Sequence, residues 1–212
     1  MDNNKSVTDG KSGSDRIDPE KLLAFLPIRS DSAILDMAGG FGAYTFAMAS
    51  LCPHGKIFVF YLREEGFERF IEEISDSAIT NIIPNVVTSG SLPLGSETMD
   101  LCLLTKVFHD LFSQGSDQEA LREIKRVLKP RGTLAVIEYK KIVGTPGPPV
   151  KIRIAPGELD ETLRCAGFIP AIKQEIEIGP YHYLSLYRKG DGNTNERGSL
   201  YRPFLFVPLS TK

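Results

Sequence analysis

The chain has 212 residues, of which 42% are hydrophobic and 25% charged, so it is long enough to bury the core of a globular protein. Its formal net charge of −2 provides no basic surface for nucleic acid, and no apolar run approaches the roughly 18–20 residues of a membrane span. The first residues contain no apolar leader and the three cysteines have no metal-ligand spacing, so we expect a cytoplasmic protein with neither a membrane nor a metal as partner.

The elements predicted along the chain alternate between strands and helices. Residues 1–16 are polar and are expected to form a disordered tail before a domain over residues 17–189. The first helix is predicted to begin at Pro19 with Asp18 as its cap. Strands are predicted at 33–37, 56–61, 85–87, 100–104, 133–138, 171–176 and 183–187. Further helices are predicted at 42–51, 64–75, 117–128, with a capping box of Ser116 and Glu119, and 158–166.

This alternation predicts an α/β fold built from βαβ units, with a mostly parallel sheet and helices on both faces. Only a short turn around Gly179 separates the last two strands, which suits an antiparallel C-terminal hairpin. Residues 190–212 form a linker followed by an apolar tail. We expect this tail to dock on its own domain or on a second subunit as a homodimer contact, or else to stay disordered.

Residues 33–45 form the most informative segment, an apolar strand followed by a glycine-rich turn and the start of a helix. Gly40 and Gly42 allow a ligand to approach the backbone, and the helix N-terminus directs N–H groups at that ligand. Asp36 is placed to accept hydrogen bonds from turn amides or from a cationic ligand group. The alternative is a tight turn that binds nothing.

Residues 36–42 resemble the D-x-G-x-G-x-G signature of class I S-adenosylmethionine-dependent methyltransferases. The resemblance extends over residues 16–189 and includes the segment 123–132 that precedes the fifth strand. Residues 16–21, 147–149 and 178–183 are similar to a branch of small bacterial and archaeal methyltransferase-domain proteins. The resemblance implies a Rossmann-like, seven-stranded methyltransferase sheet, S-adenosylmethionine as cofactor and a small-molecule acceptor.

The resemblance also implies a set of site residues. His109, after the fourth strand, would lie near the transferred methyl group as a general base, or would be a structural histidine. Tyr139, Tyr181 and His182 would line the substrate mouth, the alternative being core packing and loop anchoring. The implied cofactor-binding residues are Asp36, Ala38, Gly39, Gly40, Gly42, Tyr61, Leu62, Ser91, Leu92 and Lys106.

The sequence departs from the family pattern at three places. Ala38 stands where a glycine is expected, and residues 88–91 lack the acid that often reaches the adenine amino group. Tyr61 replaces the acid that takes both ribose hydroxyls, and one phenol oxygen cannot accept two such bonds bidentately. Cofactor binding would be weakened unless Glu64 or Glu65 compensates, or Tyr61 would fill the ribose site itself.

Three functions remain open from the sequence. The leading one is methyl transfer from S-adenosylmethionine to a small molecule. The second is a degenerate, non-catalytic binding or scaffold module, which Ala38 and Tyr61 favour. The third is a nicotinamide-dependent oxidoreductase, and it is weaker because its fingerprint also requires an acid after the second strand.

Overall fold

The computed structural model describes residues 17–37, 42–61, 66–87 and 91–190. The terminal tails, the turn residues Ala38, Gly39 and Gly40, and Leu62 lie outside these ranges. The helices are α1 (Pro19–Leu23), α2 (Ala43–Leu51), α3 (Phe67–Ser75), α4 (Phe108–Ser113), α5 (Asp117–Val127) and α6 (Pro156–Cys165), with a 3-10 turn at Val150–Ile152. The strands are β1 (Ala33–Met37), β2 (Lys56–Tyr61), β3 (Ile82–Val86), β4 (Met99–Thr105), β5 (Leu128–Tyr139), β6 (Phe168–Pro170), β7 (Ile176–Glu177) and β8 (His182–Lys189).

The strands form one sheet in the order β3-β2-β1-β4-β5-β8-β6, and β7 pairs with β8 beside β6. The five strands from β3 to β5 are parallel, whereas β8 runs antiparallel to β5, β6 and β7. This confirms the mostly parallel α/β sheet with an antiparallel C-terminal hairpin. β1 lies between β2 and β4, with β2 and β3 on one side and β4 and β5 on the other, so the strand order reverses at β1. A crevice is expected at such a reversal.

Each face of the sheet packs against its own group of helices. Leu35 and Met37 of β1 belong to a hydrophobic cluster that includes residues of α4, α5 and α6. Ile34 belongs to a second cluster with residues of α1, α2 and α3. Side chains alternate along a strand, so Asp36 points to the same face as Ile34, where α2 lies.

Several predicted boundaries were wrong. The strand predicted at 171–176 is replaced by β6 and β7, so the sheet has eight strands rather than seven. Phe168 pairs with Lys189 on β8, and Ile176 pairs with Leu184. The first two residues that face β8 are eight positions apart in sequence, whereas their two partners on β8 are five apart. Three extra residues therefore bulge out between the two short strands. β3 begins at Ile82 instead of residue 85, and its Pro84 is tolerated because β3 is an edge strand.

The helix boundaries also differ in detail. α5 begins at Asp117 as predicted, but Ser116 does not form the predicted capping box. Its hydroxyl instead donates to the carbonyl of Leu111, because α4 ends so close to the start of α5. α6 begins at Pro156, two residues before the prediction, and Glu158 accepts from the backbone N–H of Ala155 at 2.7 Å. The predicted Asp18 cap is confirmed, since its carboxylate accepts from Glu20 N–H at 3.0 Å.

Gly42 fixes the approach of α2 to the sheet. It precedes α2 with φ of 76°, a left-handed conformation that favours glycine. A Cβ added there would lie 2.6 Å from the ring of Phe70 and 2.8 Å from that of Phe46. The glycine is therefore required by backbone conformation and by close packing against α3.

We expect Gly42→Ala to lower the free energy of unfolding by about 2–4 kcal/mol, because backbone strain and overpacking add. Gly66→Ala is the matched control. Gly66 precedes α3 with φ of 83° but a Cβ there would meet nothing within 4 Å, so it should cost only about 1 kcal/mol. Urea unfolding followed by circular dichroism measures both, and equal losses would contradict the packing argument.

Candidate functional site

The carboxyl ends of β1, β2, β4 and β5 meet along one edge of the sheet, where Met37, Tyr61, Thr105 and Tyr139 are the last strand residues. In open parallel sheets ligands bind outside these ends, at the point where the strand order reverses. Here the reversal lies at β1, between β2 and β4. The candidate site therefore has one half beside β1 and β2 and another beside β4 and β5.

Asp36 carries a buried carboxylate in the first half. It is 1% exposed, and its Oδ2 accepts a 2.6 Å hydrogen bond from the Thr45 hydroxyl on α2. Burial raises the pKa of Asp36 to about 6, although the Thr45 bond opposes the shift. Its Oδ1 has no partner within the described parts of the chain. A half-satisfied buried carboxylate has the chemistry to bind a cationic or N–H donor group.

Tyr61 packs into the interior instead of offering an acceptor at the end of β2. It is 5% exposed, and its ring centroid lies 5.5 Å from those of Phe67 and Phe70 on α3. Burial raises the pKa of Tyr61, and the charges of Asp36 and Glu73 raise it further. The phenol is therefore neutral. The neighbouring Glu64 and Glu65, which the sequence offered as substitutes, lie outside the described residues.

His109 and Glu138 form a buried pair in the second half. The Nδ1 atom of His109 lies 2.8 Å from Glu138 Oε2, and its backbone N–H donates to Oε1 at 3.1 Å. Because a carboxylate only accepts, Nδ1 carries the proton, and Nε2 lies 3.5 Å from Asp110 Oδ1. Burial would lower the pKa of His109, but the hydrogen bond and charge of Glu138 raise it above its usual value.

Tyr139 is surrounded by two cations and a neutral histidine. Lys106 Nζ lies 5.7 Å and Arg153 Cζ 5.4 Å from the centroid of its ring. His182 lies opposite Tyr139 on β8, with ring centroids 4.6 Å apart. Burial lowers the pKa of His182 to about 4, and the charges of Lys106, Arg153 and Lys140 act in the same direction. This side chain is therefore uncharged near neutral pH.

Arg153 organises the loop over residues 140–149, which follows β5. The guanidinium is 3% exposed. It donates to the carbonyls of Lys140, Ile142, Thr145, Pro146 and Pro148 and to the Thr145 hydroxyl, at 2.7–3.1 Å. The loop also packs closely on Tyr139, since a Cβ at Gly147 would lie 2.5 Å from that ring. One buried cation thus shapes a wall of the site.

The site residues expected from the sequence fall into three groups within the described part of the chain, and four more lie outside it. The structure brings Lys106, His109, Tyr139 and His182 together beside β4 and β5, and Asp36, Gly42 and Tyr61 together beside β1 and β2. Tyr181 joins the first group through its backbone, because its carbonyl accepts from Lys140 N–H at 2.8 Å. Ser91 and Leu92 precede β4, and the Ser91 hydroxyl and Leu92 N–H both donate to the Glu123 carboxylate on α5. Ala38, Gly39, Gly40 and Leu62 lie outside the described residues.

Sequence reasoning missed three residues that complete these groups. Glu138 had a signal, since it is an acid at the end of an otherwise apolar strand, and a buried acid requires a partner. Thr45 lies one turn into α2, where its hydroxyl faces the preceding strand. Arg153 lies in an irregular segment with no periodicity, and only the three-dimensional path of residues 140–149 identifies its partners.

Among the described residues, the structure contains no group of three or more histidine, cysteine or acidic side chains able to hold a metal ion. Within the same ranges, each helix is too short or too polar to cross a bilayer.

Comparison with known proteins shows that this chain is similar to methyltransferases in sequence and in fold. A family described as methyltransferase domain matches residues 35–136. The ubiquinone/menaquinone biosynthesis C-methyltransferase UbiE of Ruegeria sp. (strain TM1040) is 29% identical over 134 residues, which is 61% of this chain and 51% of that protein. The chain thus spans about half the length of the curated relatives that it matches.

Solved structures extend the similarity to most of the chain. A SAM-dependent methyltransferase from Aquifex aeolicus has a TM-score of 0.75 and 26% identity, covering 82% of this chain and 90% of that one. The [4+2]-cyclase SpnF has a TM-score of 0.67 and 19% identity, covering 81% and 80%. At that identity the second likeness concerns the fold alone.

We expect Asp36→Asn to raise the free energy of unfolding at pH 8 by about 2 kcal/mol, because the amide keeps the Thr45 bond without a buried charge. The pKa of Asp36 is about 6 when folded and near 3.8 when unfolded. The wild type therefore gains stability as pH falls from about 6 toward 3.8, and the advantage of the variant should shrink over that window. Urea unfolding at pH 8, 6 and 4 measures it.

Asp100→Asn is the matched control with the opposite sign. Burial favours the neutral form of Asp100, but bonds from Lys129, the Ala33 N–H and Arg29 hold its pKa below its usual value. Its contribution is present above the unfolded pKa near 3.8 and disappears as pH falls through the folded pKa. This substitution should destabilise the protein at pH 8. If both substitutions lower the free energy of unfolding at pH 8, the assignment of Asp36 as a buried, poorly compensated charge is refuted.

We expect Glu138→Gln to lower the pKa of His109, because the charge and hydrogen bond that oppose the effect of burial are lost. An NMR titration of the histidine ring resonances measures this shift. The resonances of His54, which is exposed, serve as the internal reference and should not move between the two proteins. A pKa of His109 that is the same in wild type and variant would show that Glu138 does not control its protonation.

Proposed function

We propose that this chain, which belongs to the class I S-adenosylmethionine-dependent methyltransferases, transfers a methyl group to a small-molecule acceptor. The observation that carries the proposal is Asp36. A buried carboxylate with one free oxygen lies on the strand where the sheet order reverses. Such a group fits the cationic amino-acid end of the cofactor, and no described partner in the protein satisfies it.

The residues of this chain supply positioning and a proton acceptor. When bound, S-adenosylmethionine supplies a methyl group on a sulfonium, so the leaving group is already activated and little acid–base assistance is needed. Methylation of a protonated oxygen, nitrogen or carbon nucleophile releases a proton. We assign His109 Nε2 to accept that proton, with Glu138 holding Nδ1–H and stabilising the imidazolium.

The acceptor side is assigned to the cluster around Tyr139. Tyr139, Tyr181 and His182 lie beside the loop over residues 140–149, which Arg153 holds in place. The Ruegeria relative is named for C-methylation in ubiquinone and menaquinone biosynthesis. The alignment covers half of that protein, and we propose a small molecule as the class of acceptor.

A non-catalytic binding module is the second candidate, and Tyr61 is the observation in its favour. Its ring is packed against Phe67 and Phe70, so β2 ends without a carboxylate for the ribose hydroxyls. Hydrogen bonds to a charged group contribute about 1.5–3 kcal/mol each, so their loss lowers affinity substantially. This candidate retains the fold but not productive cofactor binding.

Calorimetric titration with S-adenosylhomocysteine separates the two candidates. We expect the wild type to bind, with an affinity that increases from pH 5 to pH 7 as Asp36 ionises around its pKa of about 6 and attracts the ligand ammonium. Asp36→Asn should weaken binding about tenfold at pH 7 and remove most of this pH dependence.

Arg164→Ala is the control, since Arg164 lies on α6 in an exposed ion pair with Asp160. Its affinity should match the wild type within about twofold. Absence of heat at millimolar ligand in the wild type would reject the methyltransferase proposal and favour the binding module. Equal affinities for wild type and Asp36→Asn would remove Asp36 from the cofactor site.

A further inference from the structure

Lys106 is the first residue after β4, at the edge of the sheet where the candidate site lies. Its backbone has φ of 55°, a left-handed conformation that is uncommon outside glycine. Its N–H donates to the carbonyl of Ile137 on β5 at 2.8 Å. Conformations of this kind persist where the surrounding structure holds them, and they cluster at functional sites. The neighbouring strand therefore keeps Lys106 at this edge in an unfavourable backbone conformation.

The ammonium group of Lys106 lies beside Tyr139 and has no acidic partner within the described ranges. Its Nζ is 5.7 Å from the centroid of the Tyr139 ring, and the side chain belongs to a half-buried residue. The neighbouring Lys140, in contrast, donates to the carboxylate of Glu177 at 2.9 Å. A partly buried charge without a counter-ion is unfavourable, so this ammonium is suited to bind an anion.

The guanidinium of Arg153 is occupied by the protein itself. Its nitrogen atoms make six hydrogen bonds to the loop over residues 140–149, so it adds positive charge but offers no free donor to a ligand. Burial, and then the charges of Arg153 and two nearby lysines, lower the pKa of His182 to about 4. The surroundings are thus electropositive, and Lys106 provides the ammonium that described groups leave available.

Tyr139 connects this ammonium with the proposed proton acceptor. The ring centroids of Tyr139 and His109 lie 6.0 Å apart, so Lys106 and His109 both approach the same ring. The acids Glu138 and Asp110 lie 2.8 and 3.5 Å from the ring nitrogens of His109. Neither forms a described ion pair with Lys106. An acceptor lying along Tyr139 can therefore present an anionic group to Lys106 and its nucleophile to His109.

We propose that Lys106 binds a carboxylate of the methyl acceptor, so that the acceptor is a small organic acid methylated at another atom. This inference rests on the proposed function and names its substrate class. One ammonium balances one negative charge, which favours a carboxylate over a phosphate dianion, and the occupied guanidinium of Arg153 supplies no second cationic donor. The family resemblance implies a cofactor contact for Lys106, whereas its position beside Tyr139 assigns it to the acceptor.

Two probes of the same shape test whether the site recognises charge. Benzoate carries a carboxylate on a planar ring, and benzamide is its neutral counterpart. NMR titration of the histidine ring resonances at neutral pH measures the binding of each. We expect benzoate to shift the resonances of His109 and His182 and to leave those of His54, which precedes β2 at the opposite edge of the sheet, unchanged. Benzamide should bind at least about tenfold more weakly.

Lys106→Gln tests the residue itself, because it removes the charge and retains a donor. We expect it to raise the dissociation constant of benzoate about tenfold and to leave that of S-adenosylhomocysteine unchanged. Lys151→Gln is the matched control, since Lys151 is exposed on the 3-10 turn before Arg153. Its affinity for benzoate should match the wild type within about twofold. Circular dichroism checks that both variants are folded, and the benzoate and benzamide comparison needs the wild type alone.

The outcomes separate this inference from the function on which it rests. If the wild type binds S-adenosylhomocysteine but does not distinguish benzoate from benzamide, or binds neither, the acceptor assignment is wrong and the proposed function stands. Equal benzoate affinity in wild type and Lys106→Gln overturns the role of Lys106, and a loss of S-adenosylhomocysteine binding in that variant returns the residue to the cofactor. Tighter binding of inorganic phosphate than of benzoate overturns the carboxylate class. If the wild type does not bind S-adenosylhomocysteine, the proposed function is rejected together with this inference.

Discussion

The buried carboxylate of Asp36 is the constraint around which the site is organised. β1 is paired on both sides, so its side chains must enter one of the two cores, and Asp36 enters the one beneath α2. Thr45 satisfies one oxygen and the other is left without a described partner. Such a feature opposes folding near neutral pH. Proteins retain features of this kind where function requires them, so this oxygen atom favours a ligand-binding role for the site.

The replacement of the second-strand acid acquires a physical meaning beside Asp36. Tyr61 is buried among Phe67 and Phe70, and the charge of Asp36 contributes to the raised pKa of its phenol. A carboxylate in the buried position that the Tyr61 ring occupies would add a second negative charge near Asp36. Two carboxylates close together in a buried site resist ionising together. A neutral phenol avoids that repulsion. In the half of the site beside β1, Asp36 therefore carries the negative charge, and residue 61 supplies no charged acceptor.

The sequence predicted the fold in most respects because its signals are local. Periodicity and the Asp18 cap identified the strands and helices, and the errors fall where tertiary contacts decide, as in the bulge between β6 and β7 and the Ser116 hydroxyl that turns to Leu111. The candidate site was only partly predictable. His109 follows β4 and Tyr139 ends β5, both at the edge where the candidate site lies, so local patterns could identify them. Arg153 instead makes six hydrogen bonds to a loop that only folding brings around it.

The fold alone does not decide the reaction, because the [4+2]-cyclase SpnF shares it. A [4+2] cyclisation forms its bonds without releasing a proton, whereas methylation of a protonated nucleophile must deliver a proton to some acceptor. A buried histidine whose pKa Glu138 holds above the usual value is suited to that task, whereas a reaction that releases no proton does not require one. The His109–Glu138 pair and the unsatisfied oxygen of Asp36 therefore favour methyl transfer over the other chemistry that this sheet supports.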